Sequence, residues 1–356
     1  MVKILFILKK REDTDATGNK KLIQTGLYNS SMYLNEILNS MNIESVVDIA
    51  IDNNCIDRIV TKHKPTHVII EALWVVPTKF VILCQLHPSV KWIIRFHSDM
   101  PFIACEGTAM SWICKYSLFR NIIIGINSPR FLREVRVILK VKNNMSEKDV
   151  EEKVIYLPNY YPVEDFKNKV MDKTKDTIDI CCFGAIRPLK NQLIQAFSSI
   201  EFAKAINKKL RYHINATRIE TNGSPVYHNI KGLFTELDNN YELVEHSWYD
   251  KEEFLKVCSE MDIGLQVSFS ETFNIVGCDI LSQGVPIICS YDIPWSSNNL
   301  YNANPTDSID ITNKLLSTYE NSEDNVRINR ESLSTYVENT KKIWNEYFLK
   351  IKYCIK

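Results

Sequence analysis

The chain has no apolar run of the roughly 18 residues that would cross a membrane. Its opening run, Met1-Val2-Lys3-Ile4-Leu5-Phe6-Ile7-Leu8, is too short for a signal-peptide core and stops at Lys9-Lys10-Arg11, so it reads as a first strand. Net charge is also missing. The 43 basic and 43 acidic residues balance, which argues against nucleic-acid binding through the overall field and leaves room only for a local basic groove. No CxxC pair and no histidine cluster at zinc-ligand spacing occurs, so a structural metal is not expected. The ten cysteines mostly sit inside apolar runs such as Val81-Ile82-Leu83-Cys84 and Ile287-Ile288-Cys289, where a free thiol behaves as a small core residue. Repeats and low-complexity tracts are absent. So is a G-x-G-x-x-G after the first strand, which disfavours an NAD dehydrogenase. The expectation is a reduced, soluble, cytoplasmic chain, in which the sequons at Asn29, Asn144 and Asn215 stay unmodified.

What is present is a regular alternation. At 356 residues two domains are expected. Strand-length apolar runs at 3–8, 44–49, 66–70, 92–96, 122–126 and 154–157 alternate with helical patterns near 30–41, 78–87, 104–119 and 129–140. That is the signature of a parallel sheet covered on both faces. Pro158-Asn159-Tyr160-Tyr161-Pro162 and the Lys/Asp-rich stretch to Thr177 read as a linker. The pattern then restarts, with strands expected at 178–183, 210–215, 241–245, 263–267 and 286–290, helices between them, and a charged amphipathic tail at 322–352. The expected fold is α/β: two Rossmann-like doubly wound domains, 1–160 and 161–330, facing a cleft, with a C-terminal helix at 331–356 packing back toward the first. Ligands in such sheets sit beyond the carboxyl ends of the strands, so residues just after strands are the ones to question.

Two segments carry the strongest chemical signal. Asp262 to Asp279 reads as strand, polar turn and helix, with Ser270, Glu271 and Thr272 at the helix entrance. A diphosphate there would meet the amides of about Phe273 to Val276, drawn by the helix dipole. Glu271 and Asp279 are eight apart, about two helical turns, and so could share one face and reach different hydroxyls of one ligand. The plainer alternative is that Ser270 or Thr272 caps the helix and both acids face water. In the second segment, Ile180 to Gln192, a strand ends at Gly184, and Arg187 and Lys190 precede a helix. Cations are unfavourable at a helix's positive end, so an anionic partner suits them better than solvent.

Phe183-Gly184-Ala185-Ile186-Arg187-Pro188-Leu189-Lys190-Asn191-Gln192 and Ser268-Phe269-Ser270-Glu271-Thr272-Phe273-Asn274-Ile275-Val276 resemble the C-terminal lobe of the retaining GT-B glycosyltransferases, the family-4-like group. They look like a branch found in phage and other viral or microbial genomes. Here the family's E-x7-E reads E-x7-D, ending at Asp279. The arginine that usually follows the glycine is displaced to Arg187 by Ala185. The resemblance implies that Arg187 and Lys190 bind the donor diphosphate, Glu271 the sugar hydroxyls and Asp279 the ribose. Gly184, Thr272 and the backbone of Phe273, Asn274 and Ile275 would line that site, and Trp248, in the loop where the family holds the base, could stack on it or simply pack.

In the first half the resemblance implies that His97, after the strand Ile93–Phe96, approaches the reacting sugar; Ser98 replaces the family's aspartate. Gly26, with Asn29 and Ser30, would open the acceptor side, and Glu106 is a further candidate there. Asp13-Thr14-Asp15 is a D-x-D string, the metal motif of another glycosyltransferase fold. It follows a cationic run in a loop, and cations at the diphosphate make a metal unnecessary. The expected activity is transfer from a nucleotide-diphosphate sugar to a hydroxyl, with retention and without metal or cofactor. The acceptor could be a glycan, lipid, protein, small metabolite or modified DNA base. A nucleotide-sugar 2-epimerase and a silent sugar-nucleotide binder are the alternatives.

Overall fold

Each apolar run of the first half, flanked by polar turns, becomes a strand of one parallel sheet, its central strands buried and its edge strands (Glu44–Ala50 and Val154–Tyr156) only partly so. The computed structural model describes residues 2–14, 20–22, 25–220, 222–296 and 299–354. The chain forms two units, one of Met1–Tyr161 with Val337–Lys356, the other of Pro162–Tyr336. In the first unit, β1 (Lys3–Lys9) leads through a short antiparallel hairpin, β2 (Glu12–Thr14) and β3 (Lys20–Leu22), to α1 (Gly26–Ser40). There follow β4 (Glu44–Ala50), α2 (Cys55–His63), β5 (His67–Glu71), α3 (Lys79–Leu86) and β6 (Lys91–Phe96). Then come α4 (Met100–Ile103), α5 (Ala109–Tyr116), β7 (Ile122–Ile126), α6 (Pro129–Asn143), α7 (Glu147–Lys153) and β8 (Val154–Tyr156). The strand order is β4-β1-β5-β6-β7-β8, every neighbouring pair parallel. Thr25 and Ser128 cap α1 and α6 through their hydroxyls, and Pro129 fills the first turn of α6, where its missing amide costs nothing.

The second unit repeats the plan. It runs β9 (Thr177–Cys181), a 3₁₀ turn at Pro188–Lys190, α8 (Gln192–Ala205), β10 (Lys209–Asn215), α9 (Ser224–Thr235) and β11 (Tyr241–His246). It continues with α10 (Lys251–Glu260), β12 (Ile263–Gln266), α11 (Ile275–Ser282), β13 (Ile287–Cys289), α12 (Ser308–Glu320) and α13 (Ser322–Cys354). The order is β11-β10-β9-β12-β13, again parallel. From Val337 onward α13 belongs with the first unit: the Trp344 indole donates to the Pro158 carbonyl at 2.9 Å and its ring lies 6.2 Å from Phe6.

Several elements differ from the sequence pattern. Of the expected helix over 104–119 only α5 forms: residues 104–108 are a turn after the short α4, and α5 ends at Tyr116. Helices α2, α7 and α12 were not expected, although α2 buries Ile56, Ile59 and Val60 and α12 buries Ile311 and Leu315, both at helical spacing. Their turn-rich polar sequences masked the period. Cys55, Cys84, Cys105 and Cys114 are free thiols, as are Cys181, Cys182, Cys258, Cys278 and Cys289, which are buried. Burial pushes the Cys182 and Cys289 thiols up to about 12.

Candidate functional site

In the second unit the chain leaves β9 in one direction to β10 and β11, and returns on its other side to β12 and β13. The reversal falls between β9 and β12, so the loops after these two strands flank the switch point of the sheet, where ligands of such folds bind. These are the two loops singled out from the sequence, and the fold sets them side by side. The Phe269 amide donates to the Leu189 carbonyl at 2.9 Å, the Gln266 side chain to the Phe183 carbonyl at 3.0 Å, and the Asn191 side chain to the Val267 carbonyl at 3.0 Å.

The first loop turns at Gly184, whose φ of +117° lies where a side chain would be strained, and its amide donates to Asn215 Oδ1 at 2.8 Å. Arg187 follows in extended conformation, its Nη1 3.0 Å from Glu220 Oε2. The 3₁₀ turn then delivers Lys190 to Glu271, and their side chains form an ion pair in which both are largely buried. Asn191, in the left-handed region at φ +59°, starts α8. In the second loop Asn274 is also left-handed, at φ +65°, a conformation asparagine tolerates better than most residues. Its Oδ1 accepts the Gly277 amide at 2.8 Å, and its Nδ2 donates to Gln266 Oε1 at 2.8 Å and Glu271 Oε1 at 3.2 Å.

Three sequence expectations are corrected here. Asn274 caps α11, not Ser270 or Thr272, because the helix begins only at Ile275. Glu271 therefore stands before the helix, and the eight-residue interval to Asp279 is not two helical turns along one face. Neither acid faces open water, since both are buried: Glu271 against Lys190, and Asp279 against Lys251 at the start of α10. Thr272 and Phe273 are buried in the same loop, and Trp295 donates to the Phe273 carbonyl at 2.7 Å. The face of Trp248 is engaged by Arg218, whose guanidinium carbon lies 4.6 Å from the ring centroid.

The first unit gathers its candidates differently. His97 follows β6 and joins a buried network with Glu71 at the end of β5. Glu71 Oε2 pairs with His97 Nε2, and Arg95 Nη1 donates to both Glu71 oxygens at 3.1 Å. Arg95 also donates to the carbonyls of Leu157 and Pro158 at 3.1 Å and pairs with Asn159. Asn127 Nδ2 lies 3.5 Å from His97 Nδ1. With Nε2 donating to the carboxylate, Nδ1 is the acceptor. Burial would raise the Glu71 carboxyl, but Arg95 and His97 outweigh it and hold it below the usual range. Burial, aided by Arg95 and opposed by Glu71, moves His97 below its ordinary value.

Gly26 is the first residue of α1, and Asn29 and buried Ser30 lie in its first turns; Thr25, Leu27 and Tyr28 meet Leu8 to Arg11 around a small recess. Glu106 sits apart in the α4–α5 turn, half-buried, with burial raising its carboxyl. Asp13 belongs to β2 rather than to a plain loop, and Asp15 lies outside the described residues. Among the described residues no three His, Cys, Asp or Glu side chains are placed to hold a metal ion, and no described helix is long and apolar enough to cross a membrane.

Sequence reasoning missed Lys251, Arg218, Glu220, Glu71 and Arg95. Signals existed for three. Lys251 is a cation at a helix start, the oddity that drew attention to Lys190. Glu71 and Arg95 are charges inside the strands HVIIE and KWIIRF, and a buried charge needs a partner.

No known family profile matches this sequence, and no curated protein is similar to it in sequence. Solved structures are similar in fold. Sucrose-phosphate synthase from Thermosynechococcus elongatus is 12% identical and superposes with a TM-score of 0.66, covering 99% of this chain and 100% of its own. A UDP-forming α,α-trehalose-phosphate synthase from Burkholderia xenovorans is 10% identical, with a TM-score of 0.64 and 98% of each chain covered. HepE from Anabaena, solved in complex with UDP, is 10% identical, with a TM-score of 0.62, 98% of this chain and 100% of its own. The fold is thus the two-sheet α/β architecture, with two Rossmann-like domains, that GT-B glycosyltransferases share.

Proposed function

We propose that this protein is a glycosyltransferase that takes a sugar from a nucleotide-diphosphate donor bound in the second unit and passes it to a hydroxyl acceptor bound by the first. The observation that carries the reading is the Lys190–Glu271 contact, which brings a cation and a sugar-hydroxyl acceptor together where the sheet reverses direction between β9 and β12. The UDP held by the Anabaena neighbour and the UDP formed by the Burkholderia one support a nucleoside diphosphate as the bound group.

In this reading Arg187 and Lys190 take the diphosphate, Glu271 the sugar hydroxyls and Asp279 the ribose. Gly184, Thr272 and the backbone of Phe273, Asn274 and Ile275 line the site. The acceptor oxygen forms its bond to the anomeric carbon as the carbon–phosphate oxygen bond breaks. The electron pair leaves on the diphosphate, and the acceptor proton passes to a phosphate oxygen, with retention. Charge grows on the departing phosphate, so fixed cations and the α11 terminus stabilise the transition state more than the ground state. Two cations at the diphosphate do the work a metal would do. The family-4-like, viral-type resemblance belongs to this proposal, as do His97 beside the reacting sugar and Gly26, Asn29, Ser30 and Glu106 on the acceptor side.

Thermal-shift screening against UDP-, GDP- and ADP-sugars, followed by product analysis with and without acceptors, tests the reading. Transfer to an acceptor supports it. Epimerised sugar without acceptor would make the protein an epimerase, and a thermal shift with no turnover would make it a silent binder; either result sinks the proposal.

A further inference from the structure

The segment after β10 returns as a strap onto the Gly184 loop. The Ile186 amide donates to the Arg218 carbonyl at 2.9 Å, and the Glu220 amide donates to the Ile186 carbonyl at 3.0 Å, closing a parallel bridge between Ile186 and Ile219. At Gly223 an added Cβ would stand 2.1 Å from the Ile186 carbonyl oxygen, so the strap's backbone fits this loop closely. The strap carries one carboxylate shared by two guanidiniums. Glu220 Oε2 accepts from Arg187 Nη1 at 3.0 Å, and Oε1 accepts from Arg218 Nη2 at 3.2 Å. Arg218 is braced separately by the Trp248 ring, and the Trp248 amide donates to Thr217 Oγ1 at 2.9 Å.

A carboxylate shared by two arginine forks has the charge and oxygen spacing that a phosphate group would present to them. The Glu220 side chain is 29% exposed. It can rotate away while the bridged backbone stays in place, and such side-chain motion is fast. Trp248 would keep Arg218 in position when the carboxylate leaves. A nucleoside diphosphate carries more charge than one carboxylate and can span both guanidiniums.

We propose that Arg218 is a second phosphate-binding cation beside Arg187, and that Glu220 is an internal anion that trades places with the ligand's phosphates. This rests on the reading of the second unit as the donor site. Glu220 lowers the affinity for nucleoside diphosphate, and by reclaiming the two arginines it speeds departure of the product after transfer. Removing the carboxylate tightens binding, whereas a purely structural role for Glu220 would make its removal weaken binding.

Titration calorimetry on the full chain with UDP, GDP, ADP and inorganic pyrophosphate decides this. Glu220→Ala and Glu220→Gln are expected to tighten the best nucleoside diphosphate and pyrophosphate by about fivefold, the gain when the competent state rises from about a fifth of molecules to nearly all. Arg218→Ala is expected to weaken both, with an unchanged melting temperature confirming the fold. If the wild type binds and Lys190→Ala does not, yet neither Glu220 variant tightens, the exchange falls and the donor site stands. If the wild type binds none of the four probes, both fall.

Discussion

The candidate sites of the two units place their charges in opposite ways. In the first, Glu71 and Arg95 are both fully buried, and Arg95 reaches a carboxylate, two backbone carbonyls and an asparagine, with its guanidinium carbon 5.4 Å from the Trp344 ring centroid. In the second, Lys190–Glu271, Lys251–Asp279 and Arg187–Glu220 are ion pairs on separate loops and helix starts, each retaining some contact with solvent. A buried charge with many fixed partners is costly to disturb and holds segments together. A pair at the edge of a site can exchange one partner for a ligand at little cost. The first arrangement is built to stay, and the proposed donor would have to open the second.

Removing Arg95 strikes the built-in network hardest. Arg95→Ala is expected to cost about 3–5 kcal/mol, because Glu71 is left charged and buried without its main partner. Urea denaturation should show a lower midpoint with an unchanged slope, and a midpoint equal to that of the wild type would erase the contrast. The double variant Lys190→Ala/Glu271→Ala removes both halves of an exchangeable pair. It should lose transfer by about 10²–10³-fold, the usual cost of losing a charge-stabilising group, while its melting temperature changes little. Wild-type turnover by that variant would refute the site. His97 stands between the two cases. His97→Ala is expected to cost about 1–3 kcal/mol, since Glu71 loses a donor, and to lower turnover while nucleoside diphosphate affinity holds. Affinity and turnover falling together would assign His97 to structure alone.

Stability also carries a pH dependence. Burial, with Lys91 nearby, pushes His67 down from 6.5 to about 4, and its ring packs on Phe348 at 5.4 Å. The folded state therefore resists a proton that the unfolded chain accepts. Stability from this group is intact above about pH 6.5 and falls as the pH drops toward 4, by at most about 1.4 kcal/mol per unit. His67→Gln should flatten the melting-temperature profile in that window, and an unchanged slope would remove His67 as its cause.

Much of the fold was legible because buried parallel strands are mostly apolar along their length, as in the runs Ile4–Leu8 and Ile263–Val267. The candidate site was legible in part, since Gly184, Arg187 and Lys190 lie in the loop after β9 and Glu271 in the loop after β12. Asp279's partner was not, because Lys251 is 28 residues away and adjoins it only through the packing of α10 on α11. Nor was the turn over 104–108, or the true start of α11, since the left-handed turn at Asn274 is one of several conformations that sequence allows.

Sequence by itself determined the alternation of strand and helix, the two-part plan and the presence of cations just past a strand. These follow from local burial and local backbone preference. Tertiary structure alone decided which charges meet: β12 returns beside β9, setting Lys190 against Glu271, and the strap after β10 sets Glu220 between two arginines. Coulomb attraction between charges in salt water is largely screened beyond about 10 Å, so partners far apart in the chain are chosen only when the sheet order has brought them together.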